Sequence, residues 1–80
     1  MERTEVLEKI QEIVMDVLAL DELTLADDTL ASDVPGWDSL AHITIISEVE
    51  ACFDVHFSMQ AVLTLKNVGE MVDLILEEME

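Results

Sequence analysis

The sequence predicts an all-α domain: an antiparallel helical bundle of three main helices plus one short helix, with a long first loop. Three observations carry this expectation. Apolar residues recur at three- and four-residue spacing in three separate stretches. A residue of helix-capping type stands at the head of each stretch. The one strand-like alternation, Val55-His56-Phe57, is too short to pair with anything and reads as loop. With 80 residues there is room for one core, so a single domain over residues 1–80 is expected.

The first helix is predicted from residue 4 to about residue 18. Leu7, Ile10, Val14 and Val17 form its apolar stripe, Glu5, Glu8, Glu12 and Asp16 take the other faces, and Thr4 is the expected N-cap. Residues 19–38 follow as a 20-residue connection. A loop that long inside a compact domain is usually functional, and Leu20, Leu23, Leu25, Leu30 and Val34 are expected to pin it to the core. Pro35-Gly36 breaks the chain before a second helix, predicted from Ser39 to about Phe53 with Asp38 and Ser39 as capping types. Ile45, Ile46, Val49, Cys52 and Phe53 form its core stripe, while Leu40 and Ile43 lie partly off it. Ser58 caps a short helical turn through Leu63. The last helix runs from about Asn67, its cap, to Met79, and turns Val68, Met71, Val72, Ile75 and Leu76 inward.

Composition narrows the function. Hydrophobic residues make up 51% of the chain, too many for a disordered segment. Trp37, Phe53 and Phe57 are its only aromatic residues, so the core is aliphatic. Nineteen acidic residues against Arg3, Lys9 and Lys66 give a formal charge of −16. Nucleic acid is excluded as a partner because phosphate contacts need clustered cations, and an anionic membrane is disfavoured for the same reason. The balance favours partners with basic docking surfaces and a monomer kept apart by its charge. Cys52 has no partner for an internal disulfide, and no apolar run approaches membrane-spanning length. A soluble cytoplasmic domain is expected.

Chemistry concentrates at Gly36-Trp37-Asp38-Ser39-Leu40. A serine at a helix N-terminus sits among free N–H groups at the positive end of the helix dipole, a location that suits a phosphate ester. The long loop before it leaves the hydroxyl open to a modifying enzyme. Taken alone, Ser39 reads as an ordinary capping residue.

Asp38-Ser39-Leu40, the apolar helix that ends in Glu50-Ala51-Cys52-Phe53, and the Leu65-Lys66-Asn67-Val68-Gly69 helix start together resemble the acyl carrier protein family. The resemblance also covers length, acidity, helical plan and long first loop. It implies that Ser39 carries 4′-phosphopantetheine, transferred from coenzyme A by a phosphopantetheinyl transferase. Asp38 would help hold magnesium and phosphate during that transfer. It further implies a protein with no catalytic residue of its own, which carries acyl intermediates of fatty-acid, polyketide or related specialised biosynthesis as thioesters. Acyl-loading and acyl-processing enzymes are the implied partners, docking on Leu40, Ile43 and Asp38. An acyl chain folded back between the helices would meet Ile46 and Val62.

One departure from the family pattern stands out. Acids usually follow the serine closely, yet this chain has Ala41, His42 and Thr44 there, and none before Glu48. A dedicated set of partner enzymes is the expectation. His42 is read as a surface residue one turn from Ser39, Cys52 as a buried small hydrophobe, and Trp37 with Pro35-Gly36 as fixing the loop's approach to Ser39.

Three other readings compete. An aminoacyl or peptidyl carrier shares the modification, although Gly-Trp-Asp before the serine favours an acyl cargo. A small acidic helical adaptor shares everything except the modification. Asp38, Ser39 and His42 also supply the residue types of a hydrolytic triad, but an all-helical chain lacks the strand-to-helix scaffold that usually presents one.

Overall fold

The computed structural model describes residues 2–79. Its order is α1 (Arg3–Leu18), a 3₁₀ turn (Ala31–Asp33), α2 (Ser39–Phe53), α3 (Met59–Leu63) and α4 (Val68–Met79). No strand occurs among the described residues. The predicted bundle and its short third helix are observed, with the 3₁₀ turn as an unforeseen element inside the loop.

Helix α1 packs against both α2 and α4. Its innermost ridge is therefore the four-residue series Val6, Ile10 and Val14, each wholly buried. Leu7 and Val17, expected in the stripe, flank that ridge and are half-buried, because a helix with neighbours on two sides buries the line between them most deeply. The N-cap is Glu2 and not Thr4; the helix starts one residue before Thr4, which lies exposed inside its first turn. Ala19 ends α1 in a left-handed conformation, and the Leu20 N–H reaches back to the Met15 carbonyl at 2.9 Å.

From α2 the core receives Ile45, Ile46, Val49 and Phe53. Cys52 corrects the sequence expectation: it is exposed. It lies at the edge of the stripe in the last turn, two residues before Asp54 turns the chain away with φ 56°. Helix α4 contributes Val68, Met71, Val72 and Ile75, and Leu76 packs half-buried at the margin. Asn67 caps it as expected, accepting the Glu70 N–H at 2.9 Å. The core is aliphatic apart from Trp37 and Phe53, and no polar or charged residue is buried among the described residues.

The first loop is held more firmly than its leucines predict. Leu25 and Val34 are buried, Leu20 and Leu23 are half-buried, and Leu30 is 43% exposed and pins nothing. Polar ties supply the rest. Gln11 Oε1 accepts the Leu25 N–H at 2.9 Å. The first turn of α4 donates two N–H groups into the loop, Val68 to the Thr29 carbonyl at 2.9 Å and Gly69 to the Asp27 carbonyl at 2.8 Å. Those donors have no acceptor within their own helix, so the loop satisfies them. Arg3 adds an ion pair with Asp27 at 3.0 Å and another with Asp73, joining α1, loop and α4 at the surface. Hydrogen bonds to Asp27 first and Asp73 second raise the guanidinium pKa above its ordinary value.

Gly69 is where loop and helix touch. A Cβ there would stand 2.7 Å from the Asp27 carbonyl oxygen and 3.2 Å from its Cα, both backbone atoms that cannot swing aside. Gly69→Ala is expected to cost about 1–3 kcal/mol through overpacking, read as a lower urea midpoint at unchanged slope.

Candidate functional site

Asp38, Ser39 and Leu40 stand where the first loop becomes α2. Gly36, with φ 86°, makes the final turn; the Trp37 N–H donates to the Val34 carbonyl at 3.2 Å, and the indole is buried. The loop's approach is thus fixed by Gly36 and Trp37, as the sequence predicts. Asp38 is the N-cap: its Oδ1 accepts the Ala41 N–H at 2.8 Å, and its carbonyl accepts the first intrahelical bond from the His42 N–H at 2.9 Å.

Ser39 is consequently the first residue of the helix, and it is exposed. Its own N–H and that of Leu40 precede any intrahelical acceptor and point toward an approaching anion. No acid lies in this first turn, so Asp38 alone balances the dipole. Beside Ser39 an open cleft of about 440 Å³ is bordered by Asp38, His42, Ile43, Val62 and Leu63 among others.

The residues expected to act here divide into three groups. Leu40 and Ile43 are 77% and 46% exposed, as a docking patch requires and a core position does not. Val62 borders the cleft although buried. Ile46, its expected companion, is also buried but does not border the cleft. One turn further along α2 than His42, it packs into the core. Two exposed apolar residues, Met59 and Leu63 on α3, escaped the sequence reading. A five-residue helix gives too little periodicity to tell an inward from an outward side chain.

His42 departs most from expectation. It is half-buried, not a free surface residue. The Trp37 indole N–H donates to its Nδ1 at 3.1 Å, and its Nε2 lies 3.4 Å from the Val62 carbonyl oxygen. With both ring nitrogens engaged away from Ser39, the imidazole neither activates the hydroxyl as a triad base nor faces a phosphate upon it. The signal was present in the five-residue spacing of Trp37 and His42 across a helix start, but nothing local assigns a partner to either.

The chain can therefore offer an exposed, unactivated hydroxyl at the head of a helix, beside an apolar-edged cleft. The family described as a phosphopantetheine attachment site matches residues 8–75. The acyl carrier protein of Rubrobacter xylanophilus is 32% identical over 77 residues, covering 96% of this chain and 95% of its own. That of Streptococcus pneumoniae is 34% identical over 73 residues, covering 91% and 95%. The solution structure of a holo acyl carrier protein from Geobacter metallireducens superposes with a TM-score of 0.83 at 32% identity, over 91% of this chain and 84% of that one.

The capping bond of Asp38 is separable from its charge. Asp38→Ala is expected to lose about 1 kcal/mol and roughly 4–8 °C of Tm. Asp38→Asn, which keeps an acceptor, should melt within about 2 °C of the parent; thermal unfolding by circular dichroism compares the two.

Proposed function

The chain belongs to the acyl carrier protein family, and we propose that Ser39 is the residue on which it carries its 4′-phosphopantetheine. The protein is a carrier and not an enzyme: it tethers acyl groups for partner enzymes of fatty-acid, polyketide or related biosynthesis. When bound, the arm supplies a terminal thiol that holds an acyl group as a thioester. The observation behind the choice of Ser39 is its exposure as the first residue of α2, beside the open cleft. The exposed hydroxyl, the two free N–H groups and the room alongside fit a phosphate-linked arm.

Each neighbouring residue then has a task. Asp38 orients the helix start through its capping bond and presents its carboxylate beside the hydroxyl to be modified. The Ser39 and Leu40 N–H groups stabilise the phosphate. Leu40 and Ile43 give transferase and acyl-processing enzymes an apolar contact, with the wider acidic surface guiding approach to basic docking surfaces. Met59 and Leu63 extend that contact from α3. Val62, which borders the cleft, would meet an acyl group that folds back there, whereas Ile46 is buried and would be met only by a chain that entered the core. The acid-poor first turn makes recognition rest more on this apolar contact than on paired charges, which favours a dedicated set of partners. Residues 1–80 act as one carrier domain, a cytoplasmic monomer. Its acidity and single cysteine support that setting, and no helix among the described residues is long and apolar enough to cross a membrane.

Incubation with coenzyme A and a phosphopantetheinyl transferase should raise the intact mass by one phosphopantetheine, and Ser39→Ala should abolish the gain. A gain that persists in Ser39→Ala would assign the arm elsewhere. Leu40→Ala should slow turnover by an acyl-processing partner about tenfold while leaving helicity unchanged. Lost helicity would make Leu40 a structural residue instead.

A further inference from the structure

Two spaces meet at Trp37 and His42. On the solvent side lies the cleft of about 440 Å³ beside Ser39. On their other side lies a small, partly open pocket of about 20 Å³, bordered by Lys66 and Asn67 and reaching the buried Val68 and Met71. Ala31, Trp37, His42 and Leu65 border both, so these four side chains form the partition between them. The inner space is about one water molecule in size, too small for even a short alkyl chain. An acyl group passing from the cleft into this inner space has to displace one of these four side chains.

The partition is held by polar bonds as well as by packing. The indole N–H of Trp37 donates to His42 Nδ1 at 3.1 Å, and the two rings stack with centroids 6.1 Å apart and planes inclined by 29°. Accepting at Nδ1 leaves the neutral imidazole with its proton on Nε2, which then donates to the Val62 carbonyl at 3.4 Å. The bridge thereby ties the end of the first loop to α2 and α2 to α3. Opening it strips an indole N–H, an imidazole and a carbonyl of their partners. An alkyl chain offers none of them a replacement, so the polar cost of opening is left uncompensated.

We propose that the Trp37–His42–Val62 bridge determines cargo length, making the protein a carrier for short acyl groups held at the cleft mouth and shutting long alkyl chains out of the core. The inference rests on Ser39 as the attachment point. His42 and Trp37 are specificity-determining residues in it: they act by closing the path, and neither touches the thioester.

The test uses the full chain loaded by a phosphopantetheinyl transferase with acetyl-, butyryl-, octanoyl- and dodecanoyl-coenzyme A. Intact mass confirms each attachment before melting. The wild-type Tm should stop rising after butyryl. In His42→Ala it should continue upward through dodecanoyl, by roughly 3–6 °C for each methylene that becomes buried. Equal rises through dodecanoyl in both proteins would overturn the proposal. If His42→Ala does not fold, the wild type decides alone through its single indole. A Trp37 indole N–H resonance unchanged between holo and dodecanoyl forms supports the bridge, and one displaced by the long chain overturns it. Absence of any mass gain is a different failure: it removes the attachment at Ser39, and the cargo proposal falls with it.

Discussion

The buried ridge of α1 is the constraint from which the rest of the architecture follows. Val6, Ile10 and Val14 are wholly excluded from water, and both α2 and α4 pack against the helix that carries them. Helices of this length are marginal alone in water, and a chain with formal charge −16 is pushed apart by its own surface. Apolar burial on a shared helix is the force that opposes both. It also explains how so acidic a sequence folds: the acids occupy outer faces, and none of the described residues puts a charge in the core.

A second layer of order depends on that packing. Once α4 is docked, its first-turn N–H groups lie where the loop passes, and Thr29 and Asp27 supply the acceptors that the helix cannot. Gly69 permits the close approach. With the loop captured there and at Gln11, Trp37 is delivered to the base of α2 at a fixed height. The head of α2 is thus rigidly placed although the connection to it is 20 residues long. Loop closure costs entropy that leucines alone would have repaid poorly, and the backbone bonds share that work.

Function follows from what this placement leaves outside. A carrier needs an accessible hydroxyl, and Ser39 is exposed while His42 is committed to Trp37 and Val62. It also needs a surface that partners can recognise without disturbing the core. Leu40, Ile43, Met59 and Leu63 are exposed apolar side chains on α2 and α3 and lie outside the buried core. The chemistry resides in the partners and the arm; the chain contributes position.

Local pattern alone was enough to locate the four helices, the caps at Asp38, Ser58 and Asn67, and Ser39 at an exposed helix head. Periodicity and capping involve residues within a turn of one another, so they are written in adjacent letters. The misreadings fell where exposure depends on distant neighbours. Cys52 and Leu30 looked like core residues, yet nothing packs over them. Val6 lies outside the stripe that spacing predicts, because two flanking helices, not one, decide the ridge of α1. Only the tertiary structure joined Gly69 to Asp27, and His42 to a carbonyl 20 residues away. Those contacts form when separate helices dock, and no spacing along the chain encodes them.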